Sequence, residues 1–365
     1  MKFGLLYELQ MPKPWTERSE YNCFWEAMEQ IVLAEEVGFE YVWFVEHHFL
    51  TEFAHSCAPE VYLGALSQRT SKIRLGHGVV LLPINHPIRV AERIATLDIL
   101  SNGRAEFGTG RSSSGYQLTP FGSNVVDARP AWDEALSIIP RMWSEEVFSY
   151  HSDRFQIDAR EVWPKPIQKP HPPMWLACSQ PDSFAMAASK GLGALCFTVG
   201  EPGELERRVR IYRDAIGGAE PVGGYVNEHV AAFSLGITLE KDSEARELGL
   251  PAATWYFANA RDRLSKDWQD EVFIPEEYKY NASRFFQEDQ YREDADPNEL
   301  IENGTFCIGN PDNSIKTIAK YQAAGIDQFM VCMQSGRIPH EKIMESIRLY
   351  GKHIIPHFKS GDSFA

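Results

Sequence analysis

The stretch YVWFVEHHF, residues 41–49, is the part of the sequence that decides the fold. Its first five residues are all β-branched or aromatic, which predicts a buried strand. Ionisable residues follow at once, and αβ proteins place their chemistry at the carboxyl ends of such strands. Because adjacent strand residues point to opposite faces, we expect one of His47 and His48 to face a site and the other to pack or meet a loop.

Runs of this kind alternate with helical patterns along the whole chain. Eight of them are predicted strands, at residues 2–7, 41–45, 73–82, 105–108, 174–178, 194–199, 232–239 and 328–333. Eight strands with intervening helices predict a (β/α)8 TIM barrel, an α/β fold, as a single domain over residues 1–365. A doubly wound open sheet is the alternative. It requires a glycine-rich phosphate turn after strand one, and ELQMP at residues 8–12 is not one.

One segment, at about residues 255–303, interrupts the alternation. It is long, charged and aromatic, and it follows predicted strand seven. An insertion of this type inside a barrel is typical of a lid over the strand ends, and a solvated surface excursion is the alternative.

The composition limits the partners and the compartment. With 51 acidic and 36 basic residues, the formal net charge of −15 argues against nucleic acid or an anionic membrane as the main partner. The sequence has no apolar run long enough for a membrane helix, and its first residues enter a strand pattern rather than a signal peptide. The six cysteines are widely spread, which predicts buried free thiols. These features predict a cytoplasmic protein.

Polar residues follow several of the predicted strands and should meet at one mouth of the barrel. Glu46 and His47 follow strand two, Arg111 follows strand four next to glycines, and SQPDS at residues 179–183 follows strand five. Hydroxyls, backbone N–H groups and a guanidinium predict an anion site, suited to phosphate. An Arg111 that only braces the barrel rim is the alternative.

These residues resemble the bacterial luciferase-like flavin monooxygenases, and the similarity to the luciferase α subunit covers nearly the whole chain. It is densest over residues 1–183. The matching blocks, in order, are KFG at 2–4, EHHF at 46–49 followed by TEF at 51–53, LPINHP at 82–87, NGR at 102–104 leading to Arg111, and FG at 121–122 followed by Arg129. Several blocks in the same order are more specific than any single one.

The resemblance implies a role for individual residues. His47 matches the catalytic histidine beside the flavin, and we assign the adjacent Glu46 as a partner that orients it. Gly78-Val79 matches a non-prolyl cis peptide under the isoalloxazine ring, and Trp255 falls near a tryptophan that packs on the flavin. The residues that match FMN phosphate ligands are Arg111, Arg129, Ser179, Gln180 and Ser183.

The resemblance also implies the reaction. Reduced FMN reacts with O2 to give a flavin C4a-peroxide, which oxygenates a small apolar organic substrate. A carbonyl compound is expected, by Baeyer–Villiger or aldehyde oxidation. An imidazole with an ordinary pKa of about 6.5 can donate or accept the proton. A separate NAD(P)H:flavin reductase should supply the reduced flavin, and the chain should form a homodimer.

Two departures and three alternatives remain open. Gly110 stands where luciferase has a reactive cysteine, and Ser179 stands where it has a glutamate. Flavin binding survives both changes, whereas luciferase's aldehyde specificity and light emission are left open.

One alternative function is that of an F420-dependent hydride-transferring oxidoreductase of the same fold. The others are a non-catalytic flavin-binding protein and a metal-dependent barrel hydrolase, although strand one lacks the His-x-His pair of the last class.

Overall fold

The computed structural model describes residues 1–112, 114–197, 200–269 and 296–360. The strands are β1 (Lys2–Tyr7), β2 (Tyr41–Phe44), β3 (Arg74–His77), β4 (Val80–Leu81), β5 (Ala105–Gly110), β6 (Phe148–His151), β7 (Gln156–Arg160), β8 (Met174–Cys178), β9 (Gly193–Cys196), β10 (Val230–Thr238), β11 (Cys307–Gly309) and β12 (Gln328–Cys332). The helices are α1 (Ser19–Val37), α2 (Pro59–Ser67), α3 (Pro87–Leu100), α4 (Gly115–Leu118), α5 (Val125–Ser144), α6 (Pro181–Ser189), α7 (Pro202–Ile216), α8 (Asp242–Gln269), α9 (Pro297–Glu302), α10 (Pro311–Ala323), α11 (His340–Leu349) and α12 (Ile355–Ser360).

Eight parallel strands form a closed barrel with helices outside it. Their order is β1-β2-β3-β5-β8-β9-β10-β12, and β12 pairs with β1 to close the ring. The predicted (β/α)8 barrel is therefore confirmed, and the open doubly wound sheet is excluded. The short strand β4 pairs with the end of β5, and β11 pairs with the end of β10.

The structure differs from the predicted strands in three places. The predicted strand at 73–82 is two strands, because the chain breaks its pairing with β5 between β3 and β4. The antiparallel hairpin β6–β7 was not predicted, since most of its residues are exposed and carry no apolar run. The strand β11 was also missed, because it has only three residues.

Some predictions fall on residues outside the description. Residues 198–199 of predicted strand six and residues 270–295 of the predicted lid are among them. The described start of that segment, residues 255–269, belongs to helix α8. A lid at about 255–303 and a single domain over 1–365 both stay predictions.

Two tryptophans fill the middle of the barrel, each facing a glycine on the next strand. Trp43 on β2 lies in register with Gly76 on β3, and Trp175 on β8 lies in register with Gly193 on β9. The two indole rings meet edge to face with centroids 5.4 Å apart. A Cβ on Gly76 would lie 2.2 Å from the Trp43 ring, and one on Gly193 would lie 2.4 Å from the Trp175 ring. The indole rings therefore pack into the space that the two glycines leave by having no side chain.

Two further observations concern the helices and the cysteines. None of the helices described is long and apolar enough to cross a membrane. All six cysteines are free thiols, and four of them are buried, but Cys57 is exposed and Cys23 is half-buried. The prediction of burial was therefore wrong for Cys57, which lies just before helix α2.

The tryptophan–glycine packing predicts a large asymmetry between two glycine substitutions. Gly76→Ala should lower the free energy of unfolding by about 1–3 kcal/mol, because the new methyl group overlaps the buried Trp43 ring. Gly64→Ala on helix α2 is the matched control, since no atom other than its chain neighbours and its own helix backbone lies within 4 Å of its Cβ position. It should be neutral or stabilising by about 0.5–1 kcal/mol. Urea unfolding followed by tryptophan fluorescence measures both, and equal effects of the two changes would contradict the packing.

Candidate active site

The residues predicted to form the site lie at one mouth of the barrel. Residues 46–47 follow β2, residues 78–79 follow β3, Arg111 follows β5 and residues 179–183 follow β8. These four strands are consecutive neighbours in the ring. Because parallel strands end on the same side, the structure brings the four segments together along one half of the mouth.

The two histidines after β2 share one buried amide. The Nδ1 atom of His47 lies 3.0 Å from Oε1 of Gln117, and the backbone N–H of His48 donates to the same oxygen at 3.1 Å. The backbone N–H of His47 donates to the carbonyl of Ser56 at 3.0 Å. The His47 ring is half-buried and meets the Phe53 ring edge to face. The histidine block is thus fixed by hydrogen bonds on both sides.

Glu46 contacts His48 rather than His47. Its Oε1 lies 3.3 Å from Nε2 of His48 and accepts from Nδ2 of Asn85 at 2.9 Å. Its Oε2 accepts from the backbone N–H of Leu81 at 2.8 Å, so the carboxylate ties β2 to β4. The role of Glu46 as the partner that orients His47 stays a prediction, and the amide oxygen of Gln117 lies against the His47 ring.

The segment between β3 and β4 lies against glycines of β5. The Gly78–Val79 peptide bond is cis, at the position that the resemblance indicated. A Cβ on Gly108 would lie 1.9 Å from the carbonyl oxygen of His77, and one on Gly110 would lie 2.4 Å from Cγ2 of Val79. The glycines in GTG at residues 108–110 are therefore required for the chain to reach this position. Gly110, where luciferase has a cysteine, has no room for a side chain here.

The predicted anion ligands lie on two neighbouring strands and one helix. Thr109 pairs with Leu176, so Arg111 and the turn after β8 follow adjacent strand ends. Arg129 is exposed on the second turn of helix α5, and the start of that helix packs on helix α4 at the same mouth. Two cationic side chains and a helix start are thus present at one end of the barrel, as an anion site requires.

The turn after β8 is closed by its own serine. The hydroxyl of Ser183 accepts from the backbone N–H groups of Ser179 at 3.0 Å and Gln180 at 3.1 Å, and it donates to the Gln180 carbonyl at 2.6 Å. Helix α6 begins at the next residue after Gln180. Ser183 therefore shapes the turn in this structure, and phosphate contacts from these three residues stay predictions.

Helix α8 contributes aromatic residues on the other side of the mouth. Trp255 is half-buried on this helix. Its neighbour Tyr256 packs on Phe53 with ring centroids 4.9 Å apart and donates to Oε1 of Glu8 at 3.1 Å. Glu8 also accepts from Nε2 of Gln10 at 2.8 Å. This contact fixes helix α8 to the end of β1, beside the ring that touches His47.

His77 is buried beneath the mouth of the barrel. It is 1% exposed on β3, and its Nδ1 has no hydrogen-bond partner within the described residues. It lines a small buried cavity together with Glu46, Glu60 and Arg93. Burial lowers the pKa of His77 to about 4, against the opposing effect of the two carboxylates.

Three residues at the mouth were not predicted from the sequence. Glu8 follows β1 in the same way that Glu46 follows β2, so the strand-end rule could have found it. Asn85 lies in the short connection before helix α3, and Gln117 lies in the four-residue helix α4. Neither segment is long enough for a sequence pattern to indicate the direction of a side chain. Within residues 1–112, 114–197, 200–269 and 296–360, no group of three or more His, Cys, Asp or Glu side chains is placed to hold a metal ion.

A closed barrel with ionisable residues at one mouth defines the architecture of a barrel enzyme. The comparison with protein families makes the class specific. Residues 1–328 match the luciferase-like monooxygenase model, and the chain belongs to this family of oxidoreductases.

Several characterised and uncharacterised proteins are similar in sequence. An uncharacterized protein of Sinorhizobium fredii (strain NBRC 101917 / NGR234) is 37% identical over 50% of this chain and 53% of its own. The oxygenase component of the flavin-dependent trigonelline monooxygenase of Acinetobacter baylyi is 27% identical over 52% of each chain. The match thus spans about half the length of these two relatives. Limonene 1,2-monooxygenase of Rhodococcus erythropolis is 26% identical over 96% of this chain and 85% of its own.

Solved structures share the whole fold. The monooxygenase RslO1 of Streptomyces bottropensis superposes with a TM-score of 0.78 and 25% identity, over 98% of this chain and 100% of its own. The oxygenating constituent of 3,6-diketocamphane monooxygenase of Pseudomonas putida, in complex with FMN, superposes with a TM-score of 0.76 and 19% identity, over 98% of each chain. The F420-dependent tetrahydromethanopterin reductase of Methanopyrus kandleri superposes with a TM-score of 0.68 and 20% identity, over 98% of this chain and 99% of its own. The last two agree in fold alone.

The buried His77 predicts a specific loss of stability in acid. Its folded pKa is about 4 and its ordinary value is 6.5, so between these values the unfolded chain binds a proton that the folded protein does not. The free energy of unfolding should therefore fall as the pH drops from 6.5 to 4, with a slope from this group of up to about 1.4 kcal/mol per pH unit. His77→Asn should remove that slope.

The exposed histidine of the hairpin supplies the control. His151→Asn should leave the pH dependence of unfolding close to that of the unchanged protein. Urea unfolding at pH 6.5, 5.5 and 4.5 compares the three proteins. Parallel curves for His77→Asn and the unchanged protein would show that His77 does not remain neutral in the folded state.

Proposed function

We propose that the protein is an FMN-dependent monooxygenase that uses reduced FMN and O2 to oxygenate a small apolar organic substrate. A carbonyl compound, taken through Baeyer–Villiger or aldehyde oxidation, is the proposed substrate class. One observation carries this proposal: His47, Gly78-Val79 and Arg111 end three neighbouring barrel strands at one mouth. Each of them matches the flavin site of the family in which the chain lies.

The residues present fit a flavin phosphate. Arg111 and the start of helix α6 follow adjacent strands, and Ser179 and Ser183 add hydroxyls beside them. In the proposal, Arg111, Arg129, Ser179, Gln180 and Ser183 hold the phosphate group. Anionic oxygens are stabilised by such a combination of guanidinium, hydroxyl and helix start.

The flat part of the cofactor is assigned to the segment that lies over β5. A Cβ on Gly78 would lie 3.3 Å from the Phe197 ring and 3.4 Å from Cβ of Trp43, so both side chains approach the main chain closely at this glycine. Gly78 and Val79 support the ring system in the proposal, and Trp255 packs on it from helix α8. Bound reduced FMN would supply the activation of O2, and the packed rings of Phe53 and Tyr256 at the mouth would help to keep water away from it.

His47 is the proposed catalytic residue. Its ring is half-buried at the mouth and is oriented by Gln117, so it can hold or move a proton at one fixed position. Glu46 is proposed to support His47 indirectly, because its carboxylate contacts the side chain of His48 and accepts a hydrogen bond from the backbone of Leu81.

The remaining parts of the proposal concern partners. A separate NAD(P)H:flavin reductase supplies the reduced flavin, in keeping with a relative that is named as the oxygenase component of its enzyme. We propose a homodimer, as the family resemblance implies, and a location in the cytoplasm, which the free thiols support. The exposed Val61 on helix α2 and Ile99 and Leu100 on helix α3 are apolar side chains that a second subunit would cover.

Substitution of Arg111 tests the phosphate site and the choice of cofactor together. Arg111→Ala should weaken FMN binding roughly tenfold to a hundredfold, since each charge-assisted hydrogen bond contributes about 1.5–3 kcal/mol. Anaerobic titration with reduced FMN, with F420 in parallel, measures the dissociation constants. Arg89→Ala is the control, because Arg89 is an exposed arginine on helix α3 that pairs with Glu92. Unchanged FMN affinity in Arg111→Ala, or tighter binding of F420 by the unchanged protein, would contradict the proposal.

Substitution of His47 tests the chemistry apart from binding. His47→Ala should bind FMN as the unchanged protein does, while product formation falls about 100-fold or more because the positioned proton donor and acceptor is lost. Cyclic ketones and long-chain aldehydes with a flavin reductase provide the assay, and oxygen not incorporated should leave as hydrogen peroxide. His151→Ala on the hairpin is the control. If the His47 variant retained full product yield, the catalytic assignment would be wrong.

A further inference from the structure

We propose that Gln117 is a positioning residue that holds His47 in the tautomer with its proton on Nδ1. The opposite ring atom, Nε2, then carries the lone pair. This inference deepens the proposed function, because it rests on His47 acting at the mouth and specifies the direction in which it first moves a proton. It is carried by two hydrogen bonds that meet on one oxygen atom.

The first bond fixes the orientation of the Gln117 amide. The backbone N–H of His48 lies 3.1 Å from the atom assigned as Oε1. A backbone N–H can only donate, so the atom facing it must be the oxygen and not the NH2 group. The flipped amide would place two donors against each other at this distance. The backbone N–H of His48 therefore determines that the oxygen end of the Gln117 amide faces the two histidines.

The second bond then fixes the ring. The same oxygen lies 3.0 Å from Nδ1 of His47, and an amide oxygen has only lone pairs to offer. Nδ1 must therefore carry a proton and donate it. A neutral imidazole has a single N–H, so Nε2 is unprotonated whenever the ring is neutral.

The arrangement is held firmly on both sides. Gln117 is 2% exposed, and the backbone N–H groups of Gln117 and Leu118 donate to the Ser114 carbonyl at 3.2 and 3.1 Å. Leu118 is fully buried against the start of helix α5. On the histidine side, the main chain of His47 is bonded to Ser56. A change of tautomer would therefore break the hydrogen bond between Nδ1 of His47 and Oε1 of Gln117. The amide of Gln117 is held too firmly to turn and form another bond in its place.

The tautomer decides what the catalytic residue can do. With Nδ1 protonated, the neutral ring begins as a proton acceptor at Nε2, so it takes a proton from a hydroxyl or N–H group at the mouth. Once Nε2 has accepted that proton, the Gln117 oxygen still accepts from Nδ1 and stabilises the cationic ring. The opposite tautomer would start as a donor and would leave the buried oxygen of Gln117 with a repelling lone pair.

Nuclear magnetic resonance on the cofactor-free protein tests this directly. Long-range proton–nitrogen correlation spectra of protein carrying 15N-histidine, recorded where the ring is neutral, identify which nitrogen is protonated. His47→Asn assigns the signals. The unchanged protein should show Nδ1 protonated and Nε2 unprotonated. Gln117→Leu removes the acceptor, and the Nε2–H form that free histidine favours should then appear.

A second variant separates positioning from packing. Gln117→Glu keeps an acceptor oxygen beside Nδ1, so the Nδ1–H tautomer should persist and the ring should titrate at a higher pH, since an opposite charge favours the cation. Gln68→Leu, on an exposed glutamine at the end of helix α2, should leave the His47 signals unchanged. A protonated Nε2 in the unchanged protein, or the same tautomer in Gln117→Leu as in the unchanged protein, would overturn the proposal.

Turnover provides the link to function. If the proposed monooxygenase activity holds, Gln117→Leu should lower it about tenfold or more by populating the wrong tautomer, and Gln117→Glu should restore much of it. The spectra are recorded without FMN, so the tautomer can be established even if the protein oxygenates nothing. Equal turnover of Gln117→Leu and the unchanged protein, with the tautomer changed as expected, would show that Gln117 does not position a catalytic group.

Discussion

The structure depends on two indole rings that fill the barrel where two glycines leave room. Trp43 and Trp175 meet at the centre, and Gly76 and Gly193 stand opposite them in the neighbouring strands. Each glycine would collide with an indole if it carried a Cβ. This packing occupies the barrel interior below the mouth with rigid apolar groups. It gives the strand ends above it fixed positions, which a site built from several strands requires.

Glycines also make room for neighbouring groups at the mouth of the barrel. The segment after β3 lies on Gly108 and Gly110 of β5, whose missing side chains admit the His77 carbonyl and the Val79 side chain. The carboxylate of Glu46 then ties β2 to β4. Packing thus brings the residues that match a flavin site to one place, and hydrogen bonds orient them. The oxygen of Gln117 lies 3.0 Å from Nδ1 of His47, and we propose that it fixes the position of the proton on this ring.

Much of the fold could be predicted from the sequence, because its strands are buried runs of apolar residues. The barrel, the cis bond at Gly78-Val79 and the strand-end position of His47 all followed from local pattern or resemblance. The hairpin β6–β7 could not be found, since its burial is too slight to leave a pattern. Gln117 was missed for a different reason: it meets His47 from 70 residues away in a four-residue helix, and only the folded chain brings them together.

We propose that this mouth binds reduced FMN and directs its reaction with oxygen. The most direct measurement is rapid mixing of the anaerobic protein and reduced FMN with oxygenated buffer, following the return of oxidised-flavin absorbance. The account predicts a clear delay relative to free reduced FMN, because the bound flavin is shielded from water and held by the site. Oxidation at the rate of free reduced FMN would contradict it and would direct attention to F420 or to a flavin binder without activity.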